Sequence, residues 1–136
     1  MKDQDIQLLK KIAEVAPKWM NASYYEDLKE DEPYYCAKFN NFPKFGMGTT
    51  LSSFDDDLGN ATISIAMLLA LKQNGYNCSI SYEDIDQTKL VPDSFEEKTQ
   101  FKIWECLSDG DCMLVAHGKT LIRAISEAFS TCIFEN

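Results

Sequence analysis

A lone histidine, three consecutive aspartates, a Gly-Lys-Thr step and an aromatic run with two lysines are where this chain could carry chemistry. His117 is the single histidine, so any histidine-based catalysis must use it. Cys106 falls on the same strand face in the expected pairing, yet four residue steps away, too far for a thiol–imidazole nucleophilic pair. A solvent-facing histidine at a strand end accounts for it with less. Gly118-Lys119-Thr120 resembles the end of a phosphate loop, but that pattern needs a glycine five residues before Gly118, and Met113 stands there. The three residues read as a helix start with Thr120 at the cap. Lys119, Arg123 and the first amides of that helix could still hold one anion. Asp55-Asp56-Asp57 could bind magnesium, although carboxylates at a helix N-terminus need no metal to explain them. Glu83-Asp84-x-Asp86 reads as a solvated loop face. One histidine and dispersed cysteines offer zinc no ligand set, and no cofactor is expected.

The segment Pro33 to Phe54 differs in composition from the rest. It holds no acidic residue in a chain with 22 of them, and it sets Lys38 and Lys44 among Tyr34, Tyr35, Phe39, Phe42, Phe45 and Phe54. Aromatic faces, lysines and a Gly46-Met47-Gly48-Thr49-Thr50 backbone could stack a base and hold phosphate. The same residues could anchor a protein interface, or half the rings could complete the core. The candidate ligand-binding set is Tyr34, Tyr35, Lys38, Phe42, Lys44, Phe45, Thr49 and Thr50, with His117, Lys119, Thr120 and Arg123.

These residues need elements to position them. Ile6, Leu9, Ile12, Ala13 and Ala16 recur at helical spacing, so a first helix spans about Asp3 to Val15 and stops before Pro17. Two short strands, around Trp19–Tyr24 and Tyr34–Phe39, flank an acidic Glu26–Glu32 loop. A second helix, apolar almost all round from Ala61 to Leu71, starts from Ser52 or Ser53 with the three aspartates in its first turn. Asn74-Gly75 caps its C-terminus. Asn77–Glu83 alternates as a half-buried strand. Residues 84–98 form an acidic, mobile loop around Pro92.

A hairpin follows. A type I′ turn at Asp109-Gly110 would place Ser108 opposite Asp111, Lys102 opposite His117, Trp104 opposite Val115 and Cys106 opposite Met113. Cys106 and Cys112 then fall on opposite faces, which argues against a disulfide between them. A last helix from Thr120 carries Leu121, Ile122, Ile125, Ala128, Phe129, Cys132 and Ile133 on one stripe. The order α-β-β-α-β-β-β-α gives an α+β class: one domain, residues 1–136, built as a layered α/β/α sandwich on a mainly antiparallel sheet of four or five strands.

At 136 residues the chain can bury one real core. A formal net charge of −9 argues against non-specific binding to nucleic acid or an anionic membrane. Five scattered cysteines without C-x-x-C spacing, and an N-terminus lacking an apolar run, place the chain in a reducing cytoplasm.

Leu68-Leu69-Ala70-Leu71-Lys72-Gln73-Asn74-Gly75-Tyr76 before an alternating strand, and Val115-Ala116-His117-Gly118-Lys119-Thr120-Leu121-Ile122-Arg123-Ala124-Ile125 at the end, resemble small bacteriophage and prophage proteins of the phage ABA-sandwich type. The resemblance covers roughly residues 55–136. It implies a phage origin, a host-cell cytoplasmic setting and a helix–sheet–helix sandwich, and carries over no catalytic residue. The expectation is a non-enzymatic accessory protein that counteracts host defence by binding a nucleotide-type signal molecule or a host protein, with a homodimer allowed. A small hydrolase or transferase using His117 or Asp55–Asp57, and a virion assembly protein, are the alternatives.

Overall fold

Pro17 and Asn21 decide how the N-terminal third is laid out. The computed structural model describes residues 2–40, 48–84 and 99–133. Helix α1 spans Asp3–Val15, as the apolar spacing predicts, and buries Leu8, Leu9, Ile12 and Val15. Ala16, preceding the proline, leaves helical backbone. A single 3-10 turn, Lys18–Met20, follows and ends at Asn21 with a left-handed φ of 48°, a conformation asparagine tolerates better than most residues. That turn displaces the strand expected from Trp19: β1 runs Ala22–Asp27. Strand β2, Tyr34–Phe39, stands where predicted. It pairs antiparallel with β1 and, on its other edge, with β3, Thr49–Leu51. Three residues are too few to show an alternation, so β3 was invisible in the sequence.

Helix α2 spans Ala61–Gln73 and does not begin at Ser52 or Ser53. Ser53 Oγ accepts from the Asp55 amide (3.1 Å), and Asp56 Oδ1 accepts from the Gly59 amide (3.0 Å). The Asn60 amide group donates to the carbonyls of Ser53 (3.0 Å) and Asp56 (2.7 Å). Serine, aspartate and asparagine thus bond their own backbone, the competition that keeps such residues out of helices. The helix ends in a Schellman motif, with Gly75 N–H on Lys72 O and Tyr76 N–H on Leu71 O, both 3.0 Å. Its burial is one-sided: Ile63, Ala66, Met67, Ala70 and Leu71 are inside, whereas Ile65 is 52% exposed.

Strands β4 (Cys78–Asp84), β5 (Thr99–Cys106) and β6 (Cys112–Gly118) form a second antiparallel sheet in that order. Most of the expected acidic loop, residues 85–98, lies outside the described residues. The β5–β6 turn differs from the one predicted. A type I′ turn needs positive φ at both central residues, but of Asp109 and Gly110 only the glycine has it, at 93°. Asp109 Oδ1 accepts from the Asp111 amide (3.0 Å), while Gly110 N–H reaches Leu107 O and Leu107 N–H reaches Asp111 O. This is a three-residue loop closed by a glycine bulge. The tip therefore shifts by one residue, pairing Trp104 with Leu114 and Cys106 with Cys112. Val115 then bulges between Ile103 and Trp104's partners and restores the predicted register, so Lys102 does face His117. Cys106 and Cys112 share a face after all.

Helix α3 spans Leu121–Cys132 with Thr120 as its cap. The chain is α+β, with three helices and two three-stranded antiparallel sheets among the described residues in place of the single sheet of four or five strands expected. We call β1-β2-β3 sheet A and β4-β5-β6 sheet B. Helix α1 packs on β1 and β2, α3 packs on β5 and β6, and α3 also contacts α1 and α2. One core results, with Phe39, Leu51 and Phe54 meeting Leu9, Ile63, Met67, Ile122, Phe129 and Ile103. Among the described residues no helix is long and apolar enough to cross a membrane. Replacing Gly110 by alanine should cost about 1–2 kcal/mol, the penalty of a left-handed L-residue, whereas Ser108→Ala in the same loop should cost little; urea unfolding of both variants checks this.

Candidate functional site

Side chains alternate across a strand, and this alternation divides the predicted ligand-binding residues. On β1 and β2 the inner positions are Ala22, Tyr24, Tyr35, Ala37 and Phe39. Lys10 of α1 sets its Nζ 5.3 Å from the Tyr24 ring centre, marking this as the helix side. Tyr35 is half-buried against the core there, and Thr49 pairs with Phe39 on the same side. The outer positions are Ser23, Tyr25, Tyr34, Cys36, Lys38 and Thr50. Lys38 Nζ lies 4.0 Å from the centre of the Tyr25 ring, and the Tyr25 and Tyr34 rings stand 6.4 Å apart at 60°. These rings are 40% and 43% exposed. Sheet A thus brings together Tyr34, Lys38 and Thr50 from the predicted set, and adds Tyr25, which the composition of 33–54 could not reveal because it lies on the neighbouring strand. Phe39 and Phe54 go to the core. Phe42, Lys44 and Phe45 lie outside the described residues.

This outer face adjoins an acidic connection. Between β1 and β2, Glu30, Asp31 and Glu32 are exposed, Lys29 pairs with Asp27 (3.5 Å), and Leu28 is 66% exposed. On the inner side Tyr24 donates its hydroxyl to Glu26 Oε2 (2.9 Å). Burial first, and then that bond to a carboxylate, push the Tyr24 phenol up to about 12.

The second predicted cluster, at the β6–α3 junction, is occupied by the protein's own groups. Arg123 donates to both carboxylate oxygens of Asp5 (2.9 and 3.2 Å) and lies 3.8 Å from Asp55. Its guanidinium carbon stands 5.2 Å from the Phe54 ring centre. The carboxylate of Asp5 holds the guanidinium pKa above its ordinary value against the opposing effect of burial. Two amides of the first turn of α3 are taken as well: Ile122 N–H donates to Asp57 Oδ1 (3.0 Å) and Arg123 N–H to Thr120 Oγ1 (3.2 Å). The Thr120 hydroxyl donates to the Phe54 carbonyl. Of the three aspartates, Asp57 serves a helix N-terminus, but that of α3 rather than α2. No signal in the sequence links Asp57 to Ile122, 65 positions apart.

Comparison with protein-family models, with curated proteins and with solved structures gives no match.

His117 is exposed on the outer face of sheet B, across from Lys102, in line with Trp104, Cys106, Cys112 and Leu114. Among the described residues no three of histidine, cysteine, aspartate and glutamate gather as a metal ligand set.

Three outcomes are expected. Asp5→Ala should cost about 1.5–3 kcal/mol, the range for a hydrogen bond to a charged group, and a double-mutant cycle with Arg123→Ala should recover most of it as coupling. Asp27→Ala, at a solvated pair, should cost almost nothing. For Tyr24, the folded chain keeps the phenol proton to about 12 while the unfolded chain loses it near 10. Stability attributable to it is complete below pH 10 and falls as pH rises toward 12. Tyr24→Phe should flatten that alkaline decline and remove the latest phase of the tyrosinate absorbance titration.

Proposed function

We propose that this chain is a non-enzymatic binding protein that captures a basic protein partner through the outer face of sheet A. The carrying observation is the exposed pair Tyr25 and Tyr34 with the half-buried Lys38 on one sheet face, bordered by Leu28 and by Glu30, Asp31 and Glu32. Exposed tyrosines supply large, stiff contact area, and a rim of carboxylates steers a cationic partner. The formal charge of −9 acts in the same sense at longer range and opposes a second copy of the chain on this face.

A nucleotide-type ligand fits less well. Of its intended residues, Tyr35 and Thr49 point inward, Lys38 already lies over Tyr25, and Arg123 is committed to Asp5. The acidic connection beside the aromatic pair would also repel phosphate.

Supporting the setting is the resemblance to phage proteins, from which we take the host bacterial cytoplasm as the place of action and interference with host defence as the outcome. The layer order belongs to the same reading. Contacts of α1 with both sheet A and α3, and of α3 with both α1 and sheet B, favour helices stacked between the two sheets over the helix–sheet–helix order expected. That order turns one face of each sheet away from the common core; on sheet A this face exposes Tyr25 and Tyr34 while Cys36 beside them is buried.

The test is capture from host extract on immobilised chain, with the affinity of the purified complex measured afterwards. The partner should be basic, and binding should weaken with salt. Tyr34→Ala should cost about thirtyfold or more, the loss of one hot spot near 2 kcal/mol, and reversing Glu30, Asp31 and Glu32 to lysine should abolish capture. An acidic or salt-indifferent partner contradicts the proposal, and so does a bound small molecule that survives the charge reversal and is lost with Lys38→Ala.

A further inference from the structure

At the tip of sheet B, two thiols meet. We propose that Cys106 and Cys112 are a thiol-modification site that closes to a reversible cross-strand disulfide by exchange with a small-molecule disulfide. The two residues are direct partners in the β5–β6 ladder, and their sulfurs lie 3.3 Å apart. The hydrogen bonds around them say which kind of position this is. Cys106 N–H turns away, toward Asn77 O just before β4 (2.8 Å), whereas the next residue, Leu107, bonds across to Asp111 (2.8 Å). Cys106 and Cys112 therefore occupy a non-hydrogen-bonded pair, where facing Cα atoms approach to about 4.5 Å and side chains are closest. A disulfide spans Cα separations from about 4.4 Å upward, so the bridge needs little backbone movement.

Access ranks the five thiols. Cys112 is exposed, Cys106 and Cys78 are half-buried, and Cys36 and Cys132 are buried. Cys132 is closed to reagent by its burial, which foremost also pushes its thiol up to about 11. Cys78 pairs with Glu105, on the alternate face from Cys106. Only Cys106 and Cys112 face each other across the ladder with one of them open to reagent. The Cys112 thiol donates to Cys106 Sγ, and that bond foremost holds its pKa above the ordinary value.

The exchange balances in two steps. Cys112 thiolate attacks one sulfur of the small disulfide, forming a mixed disulfide and releasing one small thiolate. Cys106 thiolate then attacks the Cys112 sulfur, forming the protein disulfide and expelling the second small thiolate. The two protein protons end on the two departing thiols; the chain loses two electrons and the small disulfide gains them. Trp104 lies two residues from Cys106 on the same face, its Nε1–H held by Ser81 Oγ (2.8 Å), close enough to report the change through its fluorescence.

The full chain is equilibrated across ratios of oxidised to reduced glutathione, quenched with an alkylating agent and mapped by mass spectrometry. The expected result is one intramolecular bridge between Cys106 and Cys112, with Trp104 fluorescence falling in step and both reversed by dithiothreitol. Cys106→Ser should accumulate glutathione on Cys112 that the natural chain resolves. Full alkylation of both cysteines at every ratio, a bridge to Cys78, or a mixed disulfide that persists in the natural chain would each overturn the proposal.

Discussion

Arg123 is the point on which the arrangement depends. A guanidinium with 28% of its side chain exposed is a costly thing to place between helices. It is held because Asp5, itself 18% exposed, meets it in the two-bond fork that arginine and carboxylate share. Phe54 lies under the same group and Asp55 stands 3.8 Å from its Nη2. One side chain of α3 thereby ties the start of α1 to the turn that precedes α2. Asp57 and the Phe54 carbonyl complete the joint at the first turn of α3. With Thr120 and those amides engaged, the junction that looked most like a phosphate site is a structural knot.

That commitment moves attention to the sheets. Each sheet gives residues of one face to the common core, and the opposite faces differ in character. Sheet A offers tyrosines, a lysine held against a ring, and an acidic border. Sheet B offers serines, a tethered tryptophan and a pair of touching thiols. Capture suits the first and covalent exchange the second, and neither requires a residue of the joint.

How far the chain could be read beforehand depended on the range of the interaction. Helices α1 and α3, strand β2 and the glycine-closed end of α2 follow from periodicity and caps within a few residues, and these stood as predicted. Errors came where a side chain bonds its own backbone: Ser53, Asp56 and Asn60 delay α2, and Asp109 converts a two-residue turn into a three-residue loop. That second change moved the cysteines to one face. The pairing of Arg123 with Asp5 spans 118 positions and left no local trace. On the aromatic segment composition showed that something was unusual, and alternation decided which residues work together, but Tyr25 enters only through strand pairing.

If the outer face of sheet A is the working surface, hydrogen exchange of the captured complex will show it most directly. Amides of 22–39 should gain protection on binding, while the β5–β6 hairpin exchanges as it does in the chain alone. Protection gathered on residues 112–123 with β1 and β2 unchanged would place the partner on sheet B and contradict the assignment.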